Sequence, residues 1–155
     1  MKVLFVCLGN ICRSPTAEAI FREKFRSIDS TVEFDSAGTA AYHAGEPSDA
    51  RSIRAAEKLG YKMNHISRQV VLKDFEDFDF IFAMDKSNFQ NLHGMCPRPD
   101  QKSKIFLITD FCSDKEIHEV SDPYYGPGDG FLRVITILEN CVSGVAKMIG
   151  GDGGR

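Results

Sequence analysis

The fold is decided near the amino terminus by residues 2–15, which read KVLFVCLGNICRSP. The run 3–6 is continuously apolar, as expected for a strand that is buried on both faces of a sheet. From Ser14 onward the apolar residues recur at helical spacing, and Ser14 with Pro15 suits the cap and first turn of a helix. The stretch therefore predicts a strand, a short loop and a helix, in that order.

The loop carries a cysteine and an arginine, Cys7 and Arg13, with five residues between them. A loop of this length can curl around one tetrahedral dianion, with the thiol below it and the guanidinium beside it. Gly9 and Asn10 are expected to take positive or unusual φ angles, which would turn backbone N–H groups inward. Together with the positive end of the helix, these groups predict a phosphate site that favours the thiolate form of Cys7.

A plainer interpretation of Cys7 is a small buried residue at the end of a strand, where free cysteines are common. That interpretation leaves the order of glycine, asparagine, arginine, serine and proline after it unexplained. The loop also lacks the glycine spacing of a dinucleotide-binding fingerprint and the Gly-Lys-Ser/Thr of a nucleotide-triphosphate loop. The sequence favours a nucleophilic thiol that holds a phosphate monoester.

Size and charge restrict the remaining possibilities. A chain of 155 residues with 43% hydrophobic content predicts a single domain, which we place at residues 1–149, followed by a flexible glycine-rich tail at 150–155. The net charge of -3, without a basic stripe, argues against nucleic acid as a partner. No apolar run approaches the length of about 20 residues that crosses a membrane. We therefore expect no membrane association and a cytoplasmic location.

Cysteine usage gives a further expectation. The chain has five cysteines, an odd number at irregular spacing, which favours a reducing compartment over a disulfide framework. Cys7 and Cys12 are close enough to share a metal ion, but no second pair of cysteines or histidines completes a zinc site. Neither a metal nor a cofactor is expected.

Strand-like and helix-like segments alternate along the chain, which predicts a parallel sheet covered by helices on both faces, a three-layer doubly wound α/β fold. Residues 31–34 suit an edge strand that stops at 36–38. The last helix, capped by Asp129, is the best defined because its apolar residues recur at three and four positions. The predicted strands are 3–6, 31–34, 79–84 and 104–108. The predicted helices begin at Ser14, at Ser48 or Asp49, at Asp85 or Ser87, and near Phe131. The second of these is predicted to end at Leu59, with Gly60 as its stop and with Ile53, Ala56 and Leu59 on one face.

Residues 7–15, together with Asp122-Pro123-Tyr124-Tyr125 near the carboxyl end, resemble the low-molecular-weight protein tyrosine phosphatases. The resemblance extends over nearly the whole chain. It implies a four-stranded parallel sheet flanked by helices, hydrolysis of phosphotyrosine or of small aryl phosphates, and phosphotyrosine-containing proteins as partners of a monomer. An Asp-Pro pair alone is an ordinary turn opener, so the role of Asp122 depends on the Cys7 motif.

The resemblance also implies a role for each site residue. Cys7 attacks phosphorus and forms a phosphocysteine, Arg13 clamps the equatorial oxygens, and Asp122 protonates the departing phenolate and later accepts a proton from water. Ser14, besides capping the helix, donates a hydrogen bond to the Cys7 sulfur. The phosphate-binding loop comprises Leu8, Gly9, Asn10, Ile11, Cys12 and Ser14.

Further residues are expected around this loop. By the same resemblance, Asn10, Ser36 and His65 brace it through hydrogen bonds. The substrate cleft is expected to be lined by Tyr42, His43, Tyr124 and Tyr125, with Leu8 and Ile11 adding apolar flanks, and kinases could phosphorylate the two tyrosines of the Asp-Pro-Tyr-Tyr motif. Cys12 is close enough in sequence to form a reversible disulfide with Cys7 on oxidation.

Three alternatives stay open. Arsenate reductases on the same scaffold relay oxidation through further cysteines, and Cys96 and Cys112 keep that possibility alive, although their spacing looks wrong for the relay. A related enzyme removes phosphate from arginine and carries threonine where this chain has Ile11, so Ile11 favours tyrosine. A phosphotyrosine-binding module without turnover is the third, but the presence of both Cys7 and Asp122 argues against it.

Overall fold

All strands of the sheet run parallel. The structure is a computed structural model, and it describes residues 1–123 and 130–150. The strands are β1 (Lys2–Cys7), β2 (Glu33–Gly38), β3 (Phe80–Ala83) and β4 (Ile105–Leu107). The helices are α1 (Arg13–Ile28), α2 (Ala50–Lys58), α3 (Asp74–Asp77), α4 (Lys86–Met95) and α5 (Gly130–Ile149), with short 3-10 turns at Pro99–Lys104 and Ile108–Phe111.

β1 lies inside the sheet, whose strand order is β2-β1-β3-β4. Cys7 at the end of β1 pairs with Gly38 of β2, and Val6 pairs with Ala83 of β3, so three strands end at nearly the same level. The four residues of the apolar run 3–6 are all fully buried, as the sequence predicts for an internal strand. The carboxyl edge of this sheet is where ligands bind in such folds.

Helices cover both faces of the sheet, which confirms the predicted fold class. On one face Phe5 of β1 lies 4.8 Å from Phe21 of α1, measured between ring centroids, and this core also contains the buried face of α5. On the other face Leu4 and Val6 pack in a second core with Phe75 of α3 and Leu92 of α4. The alternating side chains of β1 therefore reach into both cores.

The second strand differs from its predicted bounds. It begins at Glu33 rather than at residue 31 and continues through Gly38. Residue 31 belongs to a turn instead, because the backbone N–H of Thr31 donates to the Asp29 carboxylate at 3.0 Å. The predicted stop at 36–38 is wrong, since these small residues pair with residues 5–7 of β1.

Helix α2 has the predicted ends and, except for Leu59, the predicted buried face. The Asp49 carboxylate caps it by accepting from the backbone N–H of Arg51 at 2.8 Å, and Gly60 follows it with a φ of 86°. Of the predicted face, Ala56 is fully buried and Ile53 packs against the core, but Leu59 is 52% exposed; Ser52 and Ala55 are buried as well. The small residues permit close packing of α2 against the core.

The short elements were not predicted from the sequence. Helix α3 and the two 3-10 turns are too brief for apolar periodicity to reveal them. The predicted cap of the last helix, Asp129, lies outside the described residues. Within the described ranges, none of the helices combines the length and the apolarity that crossing a membrane requires.

One pair of cysteines is bonded, although the cysteine count favours a reducing compartment over a disulfide framework. Cys112, directly after the second 3-10 turn, forms a disulfide with Cys141 of α5, and both are fully buried. The two segments approach closely because α5 carries Gly144 against the carbonyl of Phe111, where an added Cβ would clash. The two cysteines are 29 residues apart in the sequence, so no local sequence pattern predicts that they pair.

Candidate active site

The nucleophile candidate lies at the carboxyl edge of the sheet, where β1 ends and the loop begins. The Cys7 side chain is buried, and its Sγ accepts a hydrogen bond from the backbone N–H of Asn10 at 3.3 Å. The hydroxyl oxygen of Ser14 lies 3.0 Å from the same sulfur. Donors that surround a sulfur in this way stabilise its anionic form.

The predicted capping role of Ser14 is wrong. Helix α1 begins one residue earlier, at Arg13, with Cys12 at the cap position. The Ser14 hydroxyl instead accepts from the side-chain amide of Asn10 at 2.8 Å, and its own hydrogen can point to Cys7 Sγ at 3.0 Å or to the more distant Ala37 carbonyl at 3.5 Å. The second role expected for this residue, donation to the sulfur, therefore fits the geometry.

Asn10 holds the shape of the loop. Among the described residues it is the non-glycine residue with positive φ, 59°, in the left-handed region that asparagine tolerates. Its amide group donates to Ser14 and to Ser36, the latter at 3.0 Å. Its carbonyl oxygen lies 2.8 Å from Nε2 of His65 and accepts from the backbone N–H of Arg68 at 3.0 Å. All four hydrogen-bonding positions of this buried side chain are filled.

The buried carboxylate of Glu18 supports that network, and no role for it was predicted from the sequence. Glu18 of α1 accepts from the Ser36 hydroxyl at 2.8 Å and lies 3.1 Å from Nδ1 of His65. Asp35 lies 3.6 Å from the same nitrogen. Both ring nitrogens of His65 thus face oxygen acceptors, so the imidazolium form can donate to both. From sequence Glu18 resembles an ordinary surface partner of Arg22, four residues later.

Two glycines permit close contacts at the loop, but Gly9 does not have the backbone conformation that the sequence suggested. Gly9 does not have positive φ; its missing side chain leaves room for His43, whose ring carbon would lie 3.1 Å from an added Cβ. At Gly38 an added Cβ would lie 2.7 Å from the carbonyl oxygen of Leu8. The end of β2 therefore supports the loop directly, and the backbone N–H of Thr39 donates to the Cys7 carbonyl at 2.9 Å.

The guanidinium group of Arg13 is held in position by two hydrogen bonds. Its guanidinium donates to the Asp85 carboxylate at 2.6 Å and to the carbonyl of Val120 at 3.0 Å, and the side chain is 3% exposed. Burial alone would lower the pKa of Arg13, but the negative charges of Cys7 and Asp85 outweigh it and raise that pKa above its usual value. The arginine is thus a fixed positive charge beside the sulfur. Asp85 was predicted only as a helix cap, a role it also fills by accepting from the backbone N–H of Asn88 at 2.7 Å.

Asp122 faces the same pocket from the opposite segment. Its carboxylate lies 3.7 Å from the second guanidinium nitrogen of Arg13, and its side chain is 44% exposed. The segment before it is tied to the end of β3, because the backbone N–H of Val120 donates to the carbonyl of Met84 at 2.9 Å. Tyr124 and Tyr125, which were predicted to line the cleft, lie outside the described residues.

The cavity above the sulfur has a volume of about 130 Å³. Tyr42, which is 74% exposed, and Leu8, which is 39% exposed, form part of its rim. The apolar rim suits an aromatic ring, and the charged residues at the bottom of the cavity suit a phosphate. The residues that line this cavity are Cys7, Leu8, Gly9, Ile11, Cys12, Arg13, Tyr42, His43 and Asp122.

A comparison with known families identifies the chain. Residues 2–153 match the family model described as low molecular weight phosphotyrosine protein phosphatase. This chain belongs to that family. As a low-molecular-weight protein tyrosine phosphatase it is a hydrolase of phosphoric monoesters, and the sequence resemblance is confirmed.

Individual phosphatases of known sequence or structure agree. The low molecular weight phosphotyrosine protein phosphatase of Schizosaccharomyces pombe is 39% identical over 153 residues, covering 94% of this chain and 97% of that protein. A crystal structure of a protein tyrosine phosphatase from Entamoeba histolytica, with Hepes in the active site, superposes with a TM-score of 0.92 and 47% identity, covering 97% and 98% of the two chains. The structure of a Drosophila arginine phosphatase matches with a TM-score of 0.91 and 35% identity, covering 98% and 99%.

Cys12 differs from Cys7 in its surroundings within this phosphatase site. Burial raises the pKa of the Cys12 thiol to about 12, although a hydrogen bond with the Ser52 side chain opposes the shift. Nearby negative groups, Asp49 and Cys7 among them, raise it further. Cys12 is therefore a neutral thiol near neutral pH, beside the sulfur that the loop supplies with donors.

Proposed function

We propose that this phosphatase hydrolyses phosphotyrosine through a phosphocysteine intermediate, with Asp122 as general acid and base. The observation that supports it is the convergence of Cys7, Arg13 and Asp122 on one cavity. The sulfur lies at its base among hydrogen-bond donors, and the carboxylate lies at its edge. A phosphoryl group between them would be attacked from one side while its leaving group departs on the other.

In the first step the Cys7 thiolate attacks phosphorus, so that a sulfur–phosphorus bond forms as the bond to the phenolic oxygen breaks. Asp122 transfers its proton to that oxygen, and tyrosine leaves as the neutral phenol. Arg13 and the backbone N–H groups of the loop bind the equatorial oxygens, where negative charge gathers in the transition state. Because Asp85 and Val120 hold the guanidinium, little reorganisation is needed.

In the second step a water molecule attacks the phosphocysteine. Asp122, now ionised, accepts a proton from the water, and sulfur departs as the thiolate while inorganic phosphate forms. The Ser14 hydroxyl, 3.0 Å from Sγ, donates to the sulfur as its charge returns. Asn10, braced by Ser36 and His65, keeps this hydroxyl in position.

The rim of the cavity favours an aromatic substrate. Leu8, Ile11 and Tyr42 offer apolar surface to a phenyl ring. We propose that Tyr124 and Tyr125 complete the cleft and that kinases can phosphorylate them. Ile11 offers neither a donor nor an acceptor that would recognise a phosphorylated guanidinium. We therefore propose tyrosine rather than arginine as the phosphorylated residue.

Hydrolysis of matched peptides tests this proposal. In EDTA the enzyme is expected to release phosphate from a phosphotyrosyl peptide with kcat/KM at least about tenfold above that for the same peptide carrying phosphoarginine, a difference worth about 1.4 kcal/mol. The measurement is phosphate release at several peptide concentrations. Tight binding of the phosphotyrosyl peptide without release would instead support a binding module, and a preference for phosphoarginine would overturn the substrate assignment.

The arsenate reductase alternative receives no support from the cysteine positions. Cys96 belongs to the core on the sheet face away from Cys7, and Cys112 is bonded to Cys141. Neither is among the residues that line the cavity above Cys7. A relay of oxidation from Cys7 to these sulfurs would need a rearrangement of the core.

We further propose that Cys12 protects the nucleophile from oxidation. After peroxide converts the Cys7 thiolate to a sulfenic acid, attack by the Cys12 sulfur would form a disulfide and release water. Activity lost to peroxide is expected to return with dithiothreitol in the parent, and to return to less than about half in Cys12→Ser, measured by phosphatase assay and mass spectrometry. Equal recovery of the two proteins would contradict this role.

The remaining assignments concern context. We propose phosphotyrosine-containing proteins and small aryl phosphates as substrates, a monomer as the working form, a cytoplasmic location, and neither nucleic acid nor membrane as a partner. We place the phosphatase domain at residues 1–149 with a tail at 150–155; residues 151–155 of that tail lie outside the described residues.

A further inference from the structure

A second groove lies between helices α2 and α5. Its volume is about 280 Å³, and it combines cationic with apolar side chains. Leu132 in the first turn of α5 contributes the exposed apolar surface, at 45% exposure, while its neighbour Phe131 is buried beneath the groove. The residues that line the groove are Arg51, Arg54, Ala55, Lys58, Phe131 and Leu132.

The cations of this groove follow one face of α2. Arg51, Arg54 and Lys58 are spaced by three and four residues, which places them on the same side of the helix. Arg51 pairs with the Asp49 carboxylate at 2.9 Å and lies over the ring of Phe131. Arg54 and Lys58 are exposed, and within the described part of the chain neither forms an ion pair, not even with Glu57 on the same helix. On a chain of net charge -3 this is a local positive strip.

The groove is connected to the walls of the catalytic cavity. At the start of α2 the backbone N–H of Asp49 donates to the carbonyl of Ile11 at 2.8 Å, and the Ser52 side chain hydrogen-bonds Cys12. At the start of α5 an added Cβ on Gly130 would lie 3.2 Å from Cβ of Pro123, the neighbour of Asp122. The two helices that line the groove therefore both begin beside residues of the catalytic cavity.

We propose that this groove binds acidic side chains of the phosphotyrosyl substrate, a few residues from the phosphotyrosine. The inference rests on the proposed function. The distance from Arg51 to Lys58 along the helix is roughly 10 Å, which an extended peptide covers in about three residues. Carboxylates spaced along such a segment meet successive cations, and an apolar side chain between them contacts Leu132.

Charge reversal of the two unpaired cations tests the proposal. The substrates are three phosphotyrosyl peptides of equal length, one with neutral flanks and two with three glutamates either before or after the phosphotyrosine. For the parent enzyme, kcat/KM for one acidic peptide is expected to exceed that of the neutral peptide about three- to tenfold, mainly through KM, as for rim ion pairs. In Arg54→Glu/Lys58→Glu this ratio is expected to fall to about one or below.

A matched variant separates the groove from overall charge. Lys102→Glu/Lys147→Glu changes the net charge equally at exposed positions away from the cavity, and is expected to keep the parent ratio. The preference is also expected to shrink between 50 mM and 500 mM salt, because the screening length falls from roughly 14 Å to about 4 Å. If the reversed variant fails to fold by circular dichroism, Arg54→Gln/Lys58→Gln gives the same comparison.

The outcomes distinguish this inference from the proposed function. Equal kcat/KM for the three peptides in the parent, or equal losses in the two double variants, would overturn the groove while leaving phosphotyrosine hydrolysis intact. Failure to hydrolyse any of the three peptides would overturn the proposed function and the groove with it. Loss of the acidic preference in the groove variant alone supports the assignment.

Discussion

Replacement of Cys7 by serine is expected to lower kcat for phosphotyrosyl peptides by about 10⁴-fold or more, since removal of a nucleophile commonly has effects of this size. The physical reason is the difference between sulfur and oxygen as nucleophiles. In the proposed mechanism the sulfur of Cys7 accepts hydrogen bonds from the N–H of Asn10 and the hydroxyl of Ser14. A serine hydroxyl is a far weaker acid than a thiol, and no base contacts this position among the described residues.

Binding of phosphate should survive the same substitution, because Arg13 and the loop N–H groups remain. Titration calorimetry with inorganic phosphate is expected to give a dissociation constant within about tenfold of the parent value. Cys96→Ser is the matched control, since Cys96 is a buried cysteine in the other core and should leave kcat unchanged. Residual activity of Cys7→Ser within tenfold of the parent would rule out the phosphocysteine mechanism.

The fold could be predicted from the sequence because its signals are local or strongly periodic. The apolar run 3–6 is an internal strand, and the spacing in residues 131–149 gives the buried face of α5. Signals that depend on distant partners were missed. The pairing of Cys112 with Cys141 requires the contact between Phe111 and Gly144, and β2 extends to Gly38 because β1 is there to pair with it.

The residues of the site also separate into those with a local sequence signal and those that depend on distant partners. Cys7 and Arg13 share a loop, so their spacing is visible in the sequence, whereas Glu18, Asp85 and the Val120 carbonyl act from other elements. Asp85 could have been found by topology, since it follows β3 at the edge where β1 delivers Cys7. Glu18 offered no such signal, because its burial depends on Ser36 and on His65 beyond α2.

The two walls of the cavity differ in how exposed their key side chains are. The loop wall is tied to Asn10, a fully buried side chain with four partners. The Asp122 segment is held through Val120, which bonds to Met84 and to Arg13, but the Asp122 carboxylate itself is 44% exposed. This difference suits the proposed chemistry, in which the phosphate meets fixed charges while Asp122 reaches leaving groups of different shape.

Substitution of Asp122 by asparagine is expected to lower kcat/KM for a phosphotyrosyl peptide by about 10²- to 10⁴-fold, the usual contribution of a general acid. The amide keeps the shape of the side chain but has no acidic proton for the phenolate oxygen. Para-nitrophenol is a stronger acid than tyrosine, whose phenol has a pKa of about 10, so its phosphate needs less help in leaving. The loss for para-nitrophenyl phosphate should therefore be smaller by at least about tenfold.

That difference between leaving groups is what distinguishes an acid from a binding group. If Asp122 merely oriented Arg13 across their 3.7 Å separation, both substrates would lose activity equally, because both present the same phosphate. Asp110→Asn, an exposed aspartate in a 3-10 turn, serves as the matched control and should leave both rates unchanged. Equal losses with the two substrates in Asp122→Asn would assign proton transfer to a group other than Asp122.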